Sequence, residues 1–159
     1  MATLEYLIAT GRLVKHEPDF DDDELPQRIV CFAPGFTTWL SRTLAKVEPL
    51  HGRHLTPHEQ VEQILYEFAI GRPMAYSVDY RKLDPPVLAH VWELKTQDVR
   101  LFGWFAKRGH FVIVCGELKD NLPKRSDYMP YIQKVISFRD VLDLDEPKAL
   151  RGVTYNDIF

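Results

Sequence analysis

Basic side chains crowd the last half of this chain around two strongly apolar runs. Lys95 and Arg100 stand at the head of VRLFGWFA (99–106), Lys107 and Arg108 follow it, and Lys119, Lys124 and Arg125 follow HFVIVCGEL (110–118). Guanidinium and ammonium groups brought to one surface hold phosphate, by charge-assisted hydrogen bonds and by point charge. Arg100 also interrupts an apolar strand face, where a charged group must be paired, reach solvent or serve a purpose. Residues 1–80 carry 7 Lys/Arg against 12 Asp/Glu, residues 81–139 carry 11 against 6, and residues 140–159 carry 2 against 5. A basic segment between acidic flanks, inside a net charge of −3, points to a surface for a polyanion.

Other chemistries have weaker support. The chain has no G-x-G-x-x-G, no P-loop and no G-x-S-x-G, which argues against a dinucleotide enzyme, a P-loop NTPase and an ordinary α/β-hydrolase. His51, His54 and His58 are close in sequence, with Glu59 as a further donor, but Pro57 breaks the run at a loop-to-helix junction. Three imidazoles ligate a metal only if their nitrogens converge, so no metal is expected. Cys31 and Cys115 are too few and too far apart for a disulfide framework and read as buried small side chains. Trp104, together with Trp39 and Trp92, offers surfaces for base stacking, although aromatics of this kind more often fill a core.

The elements that must position these groups can be read from period and punctuation. EPDFDDDELP (17–26) is an acidic, solvated loop, placed to shield a basic face. RIVCF (28–32) reads as a strand. Phe36, Leu40, Leu44 and Val47 fall at helical spacing, predicting a helix over 36–48. A loop, HGRHL (51–55), leads to a helix start in which Thr56 caps, Pro57 suits the first position and Glu59 completes a capping box. Val61, Ile64, Leu65 and Phe68 make that helix's apolar stripe, which Gly71 and Pro73 end. AYSVDY (75–80) and VLAHVWELK (87–95) read as strands, the second also compatible with a helix. Residues 99–106 and 110–118 form a hairpin about Lys107-Arg108-Gly109, with glycine supplying the positive φ. Both faces of 99–106 are apolar, so that strand is expected to be covered on both sides. Residues 130–142 read as an amphipathic helix beginning at Pro130. The 159 residues fit one α+β domain: a helical N-terminal part over 1–83, packed on a small curved antiparallel sheet with a C-terminal helix over 84–142. No apolar run approaches the roughly 20 residues of a membrane helix, and residues 1–20 lack the features of a signal peptide. The expected location is the cytoplasm.

The stretch ELKTQDVRLFGWFAKRGHFVIVCGELKDN (93–121), followed by KRSDYMPYIQKVISF (124–138), resembles the RelE/HigB-like toxins, especially their phage-derived branch. The resemblance covers about a third of the chain. It rests on Leu94-Lys95, the Arg100-bearing strand, the apolar strand through Val112–Cys115, the basic residues after it and the helix from Pro130. It implies a metal-independent endoribonuclease that needs no cofactor and cuts ribosome-bound mRNA. In that scheme Lys95 or Tyr131 is the base, Arg100 and Arg125 clamp phosphate, and Lys119 or Lys124 is the acid. Lys107, Arg108 and Lys124 would bind RNA. The implied partners are an antitoxin protein, mRNA and the ribosome. The alternative is a non-catalytic phage or mobile-element protein that uses the same fold to bind a protein partner. Relative to that family this chain is acidic and adds about 80 residues ahead of the match.

Overall fold

The computed structural model describes residues 1–83 and 89–159. It is an α+β fold built on one curved, open sheet of six strands in the order β1-β2-β6-β5-β4-β3. The strands are β1 (Val14–His16), β2 (Ile29–Phe32), β3 (Tyr80–Leu83), β4 (Val91–Lys95), β5 (Val99–Lys107) and β6 (His110–Leu118). Neighbours are antiparallel except β2 and β6, which run parallel. The connection between that parallel pair contains α2 (Pro34–Arg42) and α3 (Pro57–Ala69), as parallel strands require a long crossover. α1 (Leu4–Ala9), α4 (Met129–Val141) and α5 (Tyr155–Ile158) complete the helices.

The sheet is covered on both sides. On one, Phe36 and Leu40 of α2 and Val61, Leu65 and Phe68 of α3 pack with Val99, Leu101, Phe105, Phe111 and Ile113. On the other, Leu4 and Leu7 of α1 and Ile132 and Val135 of α4 pack with Phe102, Trp104 and Val112. The alternation along β5 produces this: odd positions face α2 and α3, even positions face α4. Every residue from Val99 to Phe105 is buried, as the two apolar faces predicted. The large apolar side chains among them each contribute roughly 1.5–3 kcal/mol on burial, so the β5–β6 hairpin is the centre of the core.

Several sequence expectations hold at residue level. Thr56 caps α3, its hydroxyl accepting from the Glu59 N–H at 3.1 Å, with Pro57 at the first position. The Glu59 carboxylate meets the Thr56 hydroxyl instead of the Thr56 backbone. Gly109 turns the hairpin at φ 70°. The C-terminal helix starts at Met129, one residue before Pro130. Other boundaries move for local reasons. The helix expected over 36–48 ends at Arg42 and continues only as a 3-10 turn, Leu44–Lys46. The strand expected over 75–80 begins at Tyr80, because Ser77 takes φ 67° and the Asp79 carboxylate accepts the Ala75 N–H at 2.7 Å, closing a turn. The strand expected over 87–95 begins at Val91; residues 87 and 88 lie outside the described residues. The segment 1–83, read as helical, also supplies β1, β2 and β3 to the common sheet. β1 has three residues and α1 six, too short for either period to register.

Residues at the far end of the chain close the core. The Phe159 ring sits among Phe68, Tyr80 and Phe105. The Arg28 guanidinium lies 4.6 Å from its centroid and donates to the carbonyls of Phe68 and Arg72 and to the Tyr155 hydroxyl.

Gly103 is the tightest point of the sheet. A Cβ there would lie 1.9 Å from the Val112 carbonyl oxygen, opposite the bulge where β5 and β6 change register. Gly103→Ala is expected to lower the unfolding free energy by more than about 3 kcal/mol or to abolish folding. Gly35→Ala, with nothing within 4 Å of the added carbon, should be neutral or stabilising by up to about 1 kcal/mol. Urea denaturation of both variants measures the contrast.

Candidate functional site

The β4–β5 turn is held against α3 by one buried amide. The Gln60 carbonyl oxygen accepts from the Thr96 hydroxyl at 2.9 Å and the Asp98 N–H at 3.0 Å. Its amide nitrogen donates to Asp98 Oδ2 at 2.7 Å, which also accepts from Arg53 Nε at 2.9 Å. The Lys119 N–H donates to the Asp98 carbonyl at 2.8 Å, tying the end of β6 to the same turn. Asp98 is only 3% exposed. Burial pushes its carboxyl up, but the bonds from Gln60 and Arg53 outweigh that and hold it below its ordinary value.

This turn presents the cations. Lys95 stands opposite Arg100, and Arg100 opposite Glu117. Lys95, Arg100 and Lys119 line one depression of about 570 Å³, shared with Arg53, Gln63 and Glu67. Three of the five residues assigned to catalysis therefore come together. Lys95 Nζ donates to the Ser77 carbonyl at 2.6 Å. Burial and the neighbouring Arg100 lower its pKa, partly offset by Glu93. Arg100 is 6% exposed, and its Nη1 donates to the Thr96 and Val99 carbonyls at 2.6 and 3.0 Å.

Two carboxylates that the sequence reading did not single out complete the arrangement. Glu93, on β4, is fully buried, with Oε1 3.0 Å from Arg81 Nη2. Neither of its oxygens has an aligned hydrogen bond, nor do Arg81 Nε and Arg100 Nε. Burial pushes the Glu93 carboxyl up, against the pull of Arg81, Arg100 and Lys95. Glu117 Oε2 accepts from the Tyr131 hydroxyl at 2.6 Å, while Oε1 accepts from Asn121 at 2.9 Å and the Leu118 N–H at 2.7 Å. Burial raises Glu117, and these three bonds bring it below its ordinary value. Strand alternation was the available signal: Glu93 and Glu117 share the face of Arg100 once the register is known.

Tyr131 is therefore a partner of Glu117. Its ring stacks on Phe102 at 5.1 Å, and burial together with Glu117 pushes its hydroxyl well above the usual tyrosine range. The base role that the resemblance implies for it would require a lowered pKa, the opposite direction.

Arg125 and Lys124 lie on a second cleft, of about 850 Å³, between the edge strand β3 and the start of α4. Arg81 lines this cleft and pairs with Glu93, which lies on the strand that carries Lys95. Lys107 and Arg108 do not join them. They sit at the far end of the nine-residue hairpin strands, roughly 25 Å away at 3.3 Å per residue. There Lys107 pairs with Glu5 at 3.2 Å and Arg108 donates to the Phe159 carbonyl at 3.1 Å.

The remaining candidates are placed as follows. His51 faces Asp120 at 2.7 Å and His58 faces Glu62 at 3.9 Å. Among the described residues no group of three or more His, Cys, Asp or Glu side chains is placed to hold a metal. Trp104 is fully buried and donates to the Lys148 carbonyl, so it offers no stacking face. Burial pushes the Cys31 and Cys115 thiols up to about 11 and about 12. The acidic loop packs on α3, with Glu24 accepting from the Tyr66 hydroxyl and Phe20 near the Tyr66 ring. Against protein-family models, curated proteins and solved structures, the chain finds no match.

Asp98→Asn keeps the shape of the turn but removes the charge that Arg53 and Gln60 address. It should cost about 2–4 kcal/mol at pH 7. Since the folded carboxyl is held below its ordinary value, its contribution is present above about pH 4 and is lost as pH falls through the lower folded value. The stability gap between the parent chain and the variant should therefore narrow as the pH falls below about 4. Urea titrations at a series of pH values test this, and a gap independent of pH would contradict it.

Proposed function

We propose that this chain is a RelE/HigB-like toxin that cuts ribosome-bound mRNA without a metal ion or cofactor. The observation that carries the reading is the assembly of Lys95, Arg100 and Lys119 in one depression, with the Lys95 ammonium already weakened by burial and by Arg100. The order of elements supports it: an antiparallel β4–β5–β6 meander followed by α4 is the order the resemblance implies.

The chemistry follows from those groups. Neutral Lys95 accepts the proton of a ribose 2′-OH. The 2′-oxygen attacks the adjacent phosphorus, a 2′,3′-cyclic phosphate forms, and the P–O5′ bond breaks. Lys119, which lines the depression, gives a proton to the departing 5′-oxygen. Arg100 stabilises the charge that builds on the phosphoryl oxygens in the transition state. Arg125 and Lys124 hold the flanking backbone along the second cleft. Glu117 and Tyr131 fix the wall beside Arg100. An antitoxin would silence the protein by covering this cationic end, and the protein would act in the cytoplasm, where ribosomes are. Among the described residues no helix is long and apolar enough to cross a membrane.

One observation favours the non-catalytic alternative, a phage or mobile-element protein that binds a protein partner. Arg100 is nearly buried and spends its Nη1 on backbone carbonyls, as a structural arginine would.

Induced expression separates the two. The catalytic reading expects growth arrest and cleavage of ribosome-bound mRNA that persists in EDTA. Lys95→Ala, Arg100→Ala and Lys119→Ala should each lower the cleavage rate by roughly 100-fold or more while the far-UV circular dichroism stays unchanged. The rate should climb with pH and level off below the ordinary lysine value of about 10.4. An inert parent chain, or full toxicity in all three variants, removes the proposal.

A further inference from the structure

The second cleft differs in kind from the depression at Lys95. Four cations line it, Arg81, Lys82, Lys124 and Arg125, and among the described residues no carboxylate does. Tyr128 and Ile132 supply an aromatic and an apolar wall. The Tyr128 ring is fixed edge-on against Phe102 at 5.7 Å, with the Arg81 guanidinium 5.8 Å from its centroid. The Asp127 carboxylate accepts the Lys124 N–H at 2.8 Å, which stiffens the turn that carries Lys124 and Arg125. A volume of about 850 Å³ lies within the range of about 300–1,000 Å³ for small-molecule sites, several times what a bare phosphate fills.

We propose that this cleft is a nucleotide subsite. It takes one nucleotide of single-stranded RNA beside the one that is cut, with its phosphate on Lys124 and Arg125 and its base against Tyr128. A held aromatic ring next to cations is the combination that binds single strands, since every base offers a π-face and every nucleotide a charge. An acidic peptide would use the cations but gain little from the ring. Arg81 of this cleft pairs with Glu93, two residues before Lys95 on the same face of β4, which sets the cleft beside the strand that carries Lys95. The place next to a scissile nucleotide rests on the ribonuclease reading; the affinity of the cleft for a nucleotide does not.

Calorimetry and NMR on the full chain test it with AMP, adenosine, inorganic phosphate and hexaglutamate. AMP should bind more tightly than phosphate or adenosine and shift the Tyr128 and Lys124 signals. Tyr128→Leu should weaken AMP by roughly 5- to 100-fold and leave phosphate unchanged. Lys124→Glu, at an exposed position, should weaken both, and it carries the test alone if the Tyr128 variant does not fold. The subsite is overturned if AMP fails to bind, if phosphate binds as well as AMP, or if Lys124→Glu changes nothing. Displacement of AMP by equimolar hexaglutamate overturns it too, in favour of a protein partner. AMP binding in a chain that cuts no RNA would keep the subsite and discard the nuclease; RNA cleavage without AMP binding would do the reverse.

Discussion

A sheet buried on both faces has almost no room for charge in its middle, and this constraint organises the molecule. β5 is apolar on both sides from Val99 to Phe105 apart from Arg100, so the cations gather where strands run out, and the carboxylate set deeper, Glu93, is paired with Arg81. An isolated charge placed deeper would cost several kcal/mol even after relaxation. The two ends of the central hairpin meet this requirement differently. One closes on Lys107, Arg108 and the Phe159 carbonyl. The other opens into the Lys95–Arg100–Lys119 depression. Only the second brings cations together without neutralising them in exposed ion pairs.

Holding like charges side by side needs compensation, and Glu93 provides it. Its carboxylate lies under Arg81 and within the field of Arg100 and Lys95. Without it, those cations would repel across adjacent strands in a region of low dielectric. Its own desolvation is the cost, visible in the raised carboxyl and in oxygens that lack aligned donors. Buried polar atoms left in this state cluster at functional sites more often than elsewhere. Glu117 works in the other sense: three donors satisfy it, and through Tyr131 it fastens the start of α4 to β6. One carboxylate thus sets the charge of the site and the other sets its shape.

The Gln60 amide links the two layers that meet there. Helix α3 reaches the β4–β5 turn through it, and Asp98 then fixes the end of β6. The N-terminal part of the chain therefore helps to build the cationic end, although Lys95, Arg100 and Lys119 of the depression all come from later in the sequence. The N-terminal part is integral to the fold: its strands extend the sheet on both edges, α2 and α3 cover one face, and α1 joins α4 on the other.

The sequence alone determined the elements whose signals are local. The hairpin 99–118 was legible from two apolar runs about Gly109, the start of α3 from Thr56-Pro57 with Glu59, and α4 from Pro130 and its spacing. The burial of β5 on both faces followed from its alternation, and the basic character of 81–139 from simple counting. Tertiary structure decided what depends on register and layer. No local signal says that β2 lies parallel to β6, because the pairing spans about 80 residues and a crossover. Register made Glu93 and Glu117 neighbours of Arg100, and it carried Lys107 and Arg108 to the opposite end, although all four lie close in sequence. Side-chain period along a strand is two residues, so composition can report that charges are present. Only the pairing of strands, fixed by packing across the whole sheet, decides which of them share a face and an end.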